Sequence, residues 1–62
     1  MPIVQVAMLE DRPRELKEQL IAELTETIVR VLGAPREAVR VILTDVPAAN
    51  WGVGGVSKAA QA

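Results

Sequence analysis

Sixty-two residues without a cysteine or a histidine leave room for one domain at most, and exclude both a disulfide framework and a Cys- or His-ligated zinc site. Half of the residues are hydrophobic, which excludes a disordered chain, and Trp51 is the only aromatic, so the core is aliphatic. Seven Lys and Arg against eight Asp and Glu, with no basic run, argue against a nucleic-acid partner.

The chain opens Met1-Pro2 and runs into Ile3-Val4-Gln5-Val6-Ala7-Met8-Leu9, where only Gln5 is polar. This stretch reads as a strand buried on both sides. It lacks the charged n-region and small-residue cleavage site of a signal peptide, and no apolar run reaches the roughly 20 residues that span a bilayer. A cytoplasmic protein comprising a single domain over residues 1–62 is expected, with no membrane partner.

Pro2 also carries chemistry. If Met1 is removed, Pro2 presents a free secondary amine, and an unperturbed α-amino group titrates near about 7.7–8.0. Nearby cations or burial lower that value, because both disfavour the protonated form. With no His, Cys or Tyr in the chain, the amine is the catalytic candidate by elimination. The plainer reading is a proline that makes no contribution beyond starting a strand.

Residues 10–13, Glu10-Asp11-Arg12-Pro13, break the strand pattern. Asp11 is expected to cap a helix and Pro13 to stand in its first turn. Leu16, Leu20, Ile21, Leu24, Ile28, Val31 and Leu32 then form one stripe with a period near 3.6, which predicts a helix over residues 13–32. Arg14 and Glu18 stand at i, i+4 and can pair. Gly33 supplies the residue after the helix, and Pro35 blocks its continuation.

A short turn over residues 35–38 leads to a second strand, Val39-Arg40-Val41-Ile42-Leu43-Thr44. Strand, helix, strand makes a βαβ unit, so the strands should be parallel and the crossover right-handed. Residues 48–56 read as a turn leading into a small Gly-rich hairpin or loop. The tail over residues 57–62 has little to hold it except another subunit.

The expected fold class is therefore α/β: a βαβ unit with parallel strands plus a small C-terminal hairpin, and with sheets joined across subunits. A 20-residue helix is about 30 Å long, whereas strands of six or seven residues span about 20–23 Å. Two strands cannot cover such a stripe, and a two-stranded sheet leaves two unpaired edges. Oligomerisation is the remaining common source of stability for so small a chain.

Three residues have both a structural and a functional reading. Arg40 interrupts an apolar strand; it either snorkels to water or pairs with Asp45 or Glu37, or it binds a ligand. Arg12, at the strand–helix junction, is either a solvated loop residue or a second anion-binding group. Arginine suits a planar carboxylate because its guanidinium offers two parallel donors and stays charged. Trp51 is either an apolar anchor or a flat wall that excludes water from a site. The segment Gly52-Val53-Gly54-Gly55 lacks the spacing of a phosphate-binding loop and reads as a hairpin.

Taken together, Pro2, Arg12, Arg40 and the aromatic-Gly-x-Gly-Gly segment from Trp51, in a chain with this βαβ order, resemble the 4-oxalocrotonate tautomerase family. Pro2-Ile3-Val4-Gln5-Val6, Leu9-Glu10-Asp11-Arg12 and Val39-Arg40-Val41-Ile42-Leu43-Thr44 carry the match along with that segment, over almost the whole chain. The resemblance implies an isomerase that works in aromatic catabolism as a homo-oligomer, a hexamer built as a trimer of dimers. Pro2 would be the general base that moves a proton within a 2-hydroxydienoate or 2-oxo enoate acid.

Arg12 would bind a distal carboxylate of that substrate. Arg40, contributed by a neighbouring subunit, would hold its 2-oxo and carboxylate end, and Trp51 would wall the site. No cofactor and no metal would be required. Asp11 stands where the type enzyme has glycine, Trp51 where the family usually has phenylalanine, and Val53 where dehalogenase relatives carry an acid. Retention of Met1 would make the Pro2 nitrogen an amide; the alternative is then a noncatalytic oligomeric subunit of a tautomerase-like assembly.

Overall fold

A computed structural model describes residues 1–61. Its element order is β1 (Ile3–Leu9), α1 (Arg14–Leu32), a 3₁₀ turn (Arg36–Ala38), β2 (Arg40–Val46), a second 3₁₀ turn (Ala48–Asn50), β3 (Gly52–Val53), β4 (Val56–Ser57) and a third 3₁₀ turn (Lys58–Ala60). β1 and β2 pair in parallel from Ile3 opposite Arg40 to Leu9 opposite Val46. β3 and β4 form the antiparallel hairpin. The α/β reading, the βαβ order and the hairpin are all present.

Two expectations about local structure need correction. Pro13, not Asp11, occupies the cap position of α1, with no side-chain cap; its carbonyl accepts from the N–H groups of Leu16 and Lys17 at 3.2 and 3.3 Å. Asp11 instead lies in the left-handed region at φ 80°, a conformation that Asp tolerates better than most residues. The tail is also more ordered than expected: Ser57 belongs to β4, and the Lys58 N–H donates to the Trp51 carbonyl at 2.7 Å. Ala62, the last residue of that tail, lies outside the described residues.

At its C-terminus α1 ends as the sequence anticipates. Gly33 adopts φ 68°, and its N–H returns to the Val29 carbonyl at 3.0 Å. A Cβ placed there would meet no atom within 4 Å, so the only penalty for a side chain is the backbone conformation. Gly33→Ala should destabilise the protein by about 1 kcal/mol, measured by urea unfolding at a fixed protein concentration. No loss would show that the turn relaxes to a right-handed conformation.

The expectation that β1 is buried on both sides fails within one chain. Val4, Val6 and Met8 face α1, whereas Ile3, Gln5 and Ala7 are exposed on the opposite face. Among the described residues Met8 alone is buried. The molecule is a slab of 44 × 24 × 14 Å, two layers thick, with its helix stripe partly bare: Leu16 is 53% exposed and Leu32 66%. Its accessible surface is 4638 Å², against about 3,900 Å² for a compact monomer of this mass. A single subunit leaves apolar surface uncovered on the sheet, the helix and the hairpin.

Side-chain pairs run along the helix and tie it to its neighbours. The anticipated Arg14–Glu18 pair forms at 2.8 Å. Lys17 reaches Asp45 of β2 at 2.5 Å, tying α1 to the sheet. Arg36, in the first 3₁₀ turn, grips the Glu26 carboxylate of α1 through both terminal nitrogens, Nη1 to Oε1 and Nη2 to Oε2, the latter at 3.3 Å. The hydrogen bond from Arg36 holds the Glu26 carboxyl below its ordinary range. That pairing is therefore fully present above the ordinary glutamate range and is lost as pH falls through the lowered value.

Candidate active site

The parallel register decides where each candidate residue stands. Pro2 immediately precedes β1, and its carbonyl accepts from the Arg40 N–H at 3.0 Å. Pro2 and the main chain of Arg40 thus lie side by side at the N-terminal end of the sheet. Pro2 is half-buried, and Met1 beyond it is 81% exposed. The bond that seats this end of the strand uses the Pro2 carbonyl, and the Pro2 nitrogen has no part in it.

The Arg40 side chain is exposed. Its Nη1 donates to the carbonyl of Glu37 at 2.6 Å and lies 3.5 Å from that of Val39. Of the two pairings considered from sequence, Asp45 is taken instead by Lys17, and Glu37 supplies its main chain instead of its carboxylate. Nε and Nη2 of Arg40 have no acceptor among the described residues. One edge of the guanidinium remains open to a ligand.

Arg12 stands at the other end of the sheet, three residues past Leu9, the last residue of β1. It lines a groove of about 230 Å³ with Met8, Leu16, Lys17 and Leu20. The groove has an apolar floor and two cations at its rim. Lys17 is neutralised by Asp45, whereas Arg12 makes no ion pair among the described residues. An unpaired guanidinium over apolar side chains suits a carboxylate on a short carbon skeleton.

Trp51 follows β2 by five residues and directly precedes the hairpin, half-buried, between the second and third 3₁₀ turns. The chain leaves β2 at the Arg12 end of the sheet, because β1 and β2 run parallel. Gly54 and Gly55 turn the hairpin at φ 61° and 85°, leaving Val53 and Val56 exposed. Those two backbone angles account for the glycine pair without any phosphate.

One chain therefore sets the main chains of Pro2 and Arg40 side by side, with the Arg40 guanidinium turned to the Glu37 carbonyl, and leaves Arg12 apart from them. The seven residues of β1 that separate the two ends span about 23 Å, well beyond the reach of an arginine side chain. Sequence reasoning missed Met8, Leu16, Lys17 and Leu20 as lining for Arg12. The i, i+4 spacing of Leu16 and Leu20 marks a helix face but not what that face meets. The Lys17–Asp45 pair spans 28 positions, and no local pattern announces it.

Compared with known proteins, residues 2–61 match the tautomerase family, described as tautomerase enzyme. The chain is 57% identical over 60 residues to a protein of Ralstonia nicotianae named "Probable tautomerase RSp0893", covering 97% of this chain and 86% of that one. It is 51% identical over 57 residues to a 2-hydroxymuconate tautomerase of Stutzerimonas stutzeri, covering 92% and 90%. Among solved structures, a 4-oxalocrotonate tautomerase homologue superposes with a TM-score of 0.94 at 44% identity, covering 100% of this chain and 98% of that one.

Proposed function

The chain belongs to the tautomerase family and is a keto–enol tautomerase, an isomerase, and on that premise we propose that the nitrogen of Pro2, freed by removal of Met1, is the general base that moves the proton. The substrate is a 2-hydroxydienoate or 2-oxo enoate acid, with 2-hydroxymuconate as the first to test. Pro2 takes the proton from the 2-hydroxyl oxygen and delivers it to carbon. Arg40, from a neighbouring subunit, holds the 2-oxo and carboxylate end and stabilises charge on the oxygen, a term that is usually large in such reactions.

Arg12 binds the distal carboxylate, and Trp51 walls the site. Met1 removal is hydrolysis of a single exposed peptide bond. The observation that carries this reading is the division of labour at Pro2. Its carbonyl holds β1 to Arg40 at 3.0 Å, while Met1 projects into solvent. Cleavage can therefore release the amine without disturbing the sheet.

The same reading requires more than one subunit. Pro2 and Arg12 lie at opposite ends of one strand, so a site that uses both draws them from different chains. Two copies related by a twofold axis perpendicular to the strands would place each end of one beside the other end of its partner. Such pairing also covers bare sheet edge and helix stripe. We take the assembly to be a homo-oligomer, a hexamer arranged as a trimer of dimers.

Purified protein confirmed by intact mass to begin at Pro2 should ketonise 2-hydroxymuconate, followed by its ultraviolet absorbance, and should sediment as an oligomer. An active monomer would overturn the shared site. An inactive oligomer with a free Pro2 amine would overturn the substrate class.

A further inference from the structure

The 3₁₀ turn Arg36–Ala38 lies between α1 and Arg40, and it is held at both ends. On one side Arg36 grips Glu26 of α1 through both terminal nitrogens. On the other, the Glu37 carbonyl accepts Nη1 of Arg40 at 2.6 Å. Pro35 and Arg36 close the turn internally, their carbonyls accepting from the N–H groups of Ala38 and Val39 at 3.0 and 3.2 Å. A continuous chain of contacts therefore runs from a helix to the guanidinium of Arg40.

An exposed ion pair contributes little to stability in general, because water solvates both charges and salt screens them. Both side chains here are more than half exposed, at 57% and 61%. Bidentate geometry does something else: it fixes the orientation of the segment that carries it. The segment fixed here contributes the carbonyl on which Arg40 rests.

We propose that Glu26 and Arg36 are positioning residues for Arg40: their ion pair locks the 3₁₀ turn so that the Glu37 carbonyl holds the Arg40 guanidinium toward substrate. The inference rests on the reading of Arg40 as the group that binds the 2-oxo and carboxylate end. Nη1 is committed to the protein, and Nε and Nη2 are left for the substrate. Neither Glu26 nor Arg36 touches the reacting atoms. Their effect passes through the aim of a third residue, and small errors in aim are costly in catalysis.

The test is a double-mutant cycle on the full-length oligomer with 2-hydroxymuconate as substrate. Glu26→Gln should lower kcat/KM by about tenfold, with sedimentation and thermal midpoint close to those of the parent. Arg36→Gln should give the same loss. Exchanging the charges, Glu26→Arg with Arg36→Glu, should recover most of it. In an Arg40→Ala background the Glu26→Gln change should have no further effect, because no guanidinium remains to be aimed.

Full activity in Glu26→Gln, or a loss that persists unchanged in the Arg40→Ala background, overturns the proposal. If Arg40→Ala is damaging while both single changes are silent, only the positioning role fails and the reading of Arg40 stands. If Arg40→Ala is itself silent, both fail together.

Discussion

Retention of Met1 should lower kcat/KM for 2-hydroxymuconate by about 10²–10⁴-fold relative to the same chain beginning at Pro2, the range that a positioned general base contributes. The nitrogen lone pair of an amide is delocalised into its carbonyl, so Met1-Pro2 has no base at that position. Once the peptide bond is cleaved, Pro2 carries a free α-amino group, a class that titrates near about 7.7–8.0 when unperturbed. A site containing guanidinium groups and a Trp51 wall would lower it further toward neutrality. Both forms should fold alike, because the strand is seated by the Pro2 carbonyl on the Arg40 N–H.

The comparison needs two samples whose intact masses differ by one methionine, with matching circular dichroism and sedimentation. Equal turnover by the two would remove Pro2 from the mechanism. A large difference with identical assembly would assign the base. A chain that keeps Met1 in its natural setting and turns nothing over would instead be the noncatalytic subunit.

Much of the fold was legible because local chemistry and periodicity agreed. The Leu16, Leu20, Leu24 and Ile28 spacing marked α1; its end was marked by Gly33, which adopts φ 68°. The parallel pairing of β1 and β2 followed from strand, helix, strand. What the sequence concealed were facts of backbone geometry and distance. Asp11 reads as a cap by residue type, but the chain turns at that point through φ 80°, and Pro13 takes the cap position.

The candidate site was legible as a set of residues but not as an arrangement. Pro2, Arg12, Arg40 and Trp51 could be singled out from residue chemistry and motif. Nothing in their order revealed that the register puts Pro2 beside Arg40 and leaves Arg12 a strand-length away. Nor could spacing reveal that Asp45 belongs to Lys17, or that Arg36 reaches back ten positions to Glu26. Such pairs depend on which faces a crossover brings together.

Arg40→Ala should reduce kcat by about 10²–10³-fold, the loss typical when a donor aimed at a developing oxyanion is removed. The strand register is kept, because it depends on the Arg40 N–H and not on its side chain. The side chain is exposed, so truncation opens no cavity and should leave the oligomer intact by sedimentation. Arg40→Lys should fall between the two: an ammonium keeps the charge but cannot present two parallel donors to a carboxylate. That ordering separates charge from geometry. If lysine restores full turnover, the site needs only a cation at position 40, and the unoccupied Nε and Nη2 edge has no special role. If lysine is nearly as poor as alanine, the planar fork is what holds the 2-oxo acid, and the bond from Nη1 to Glu37 serves to present it.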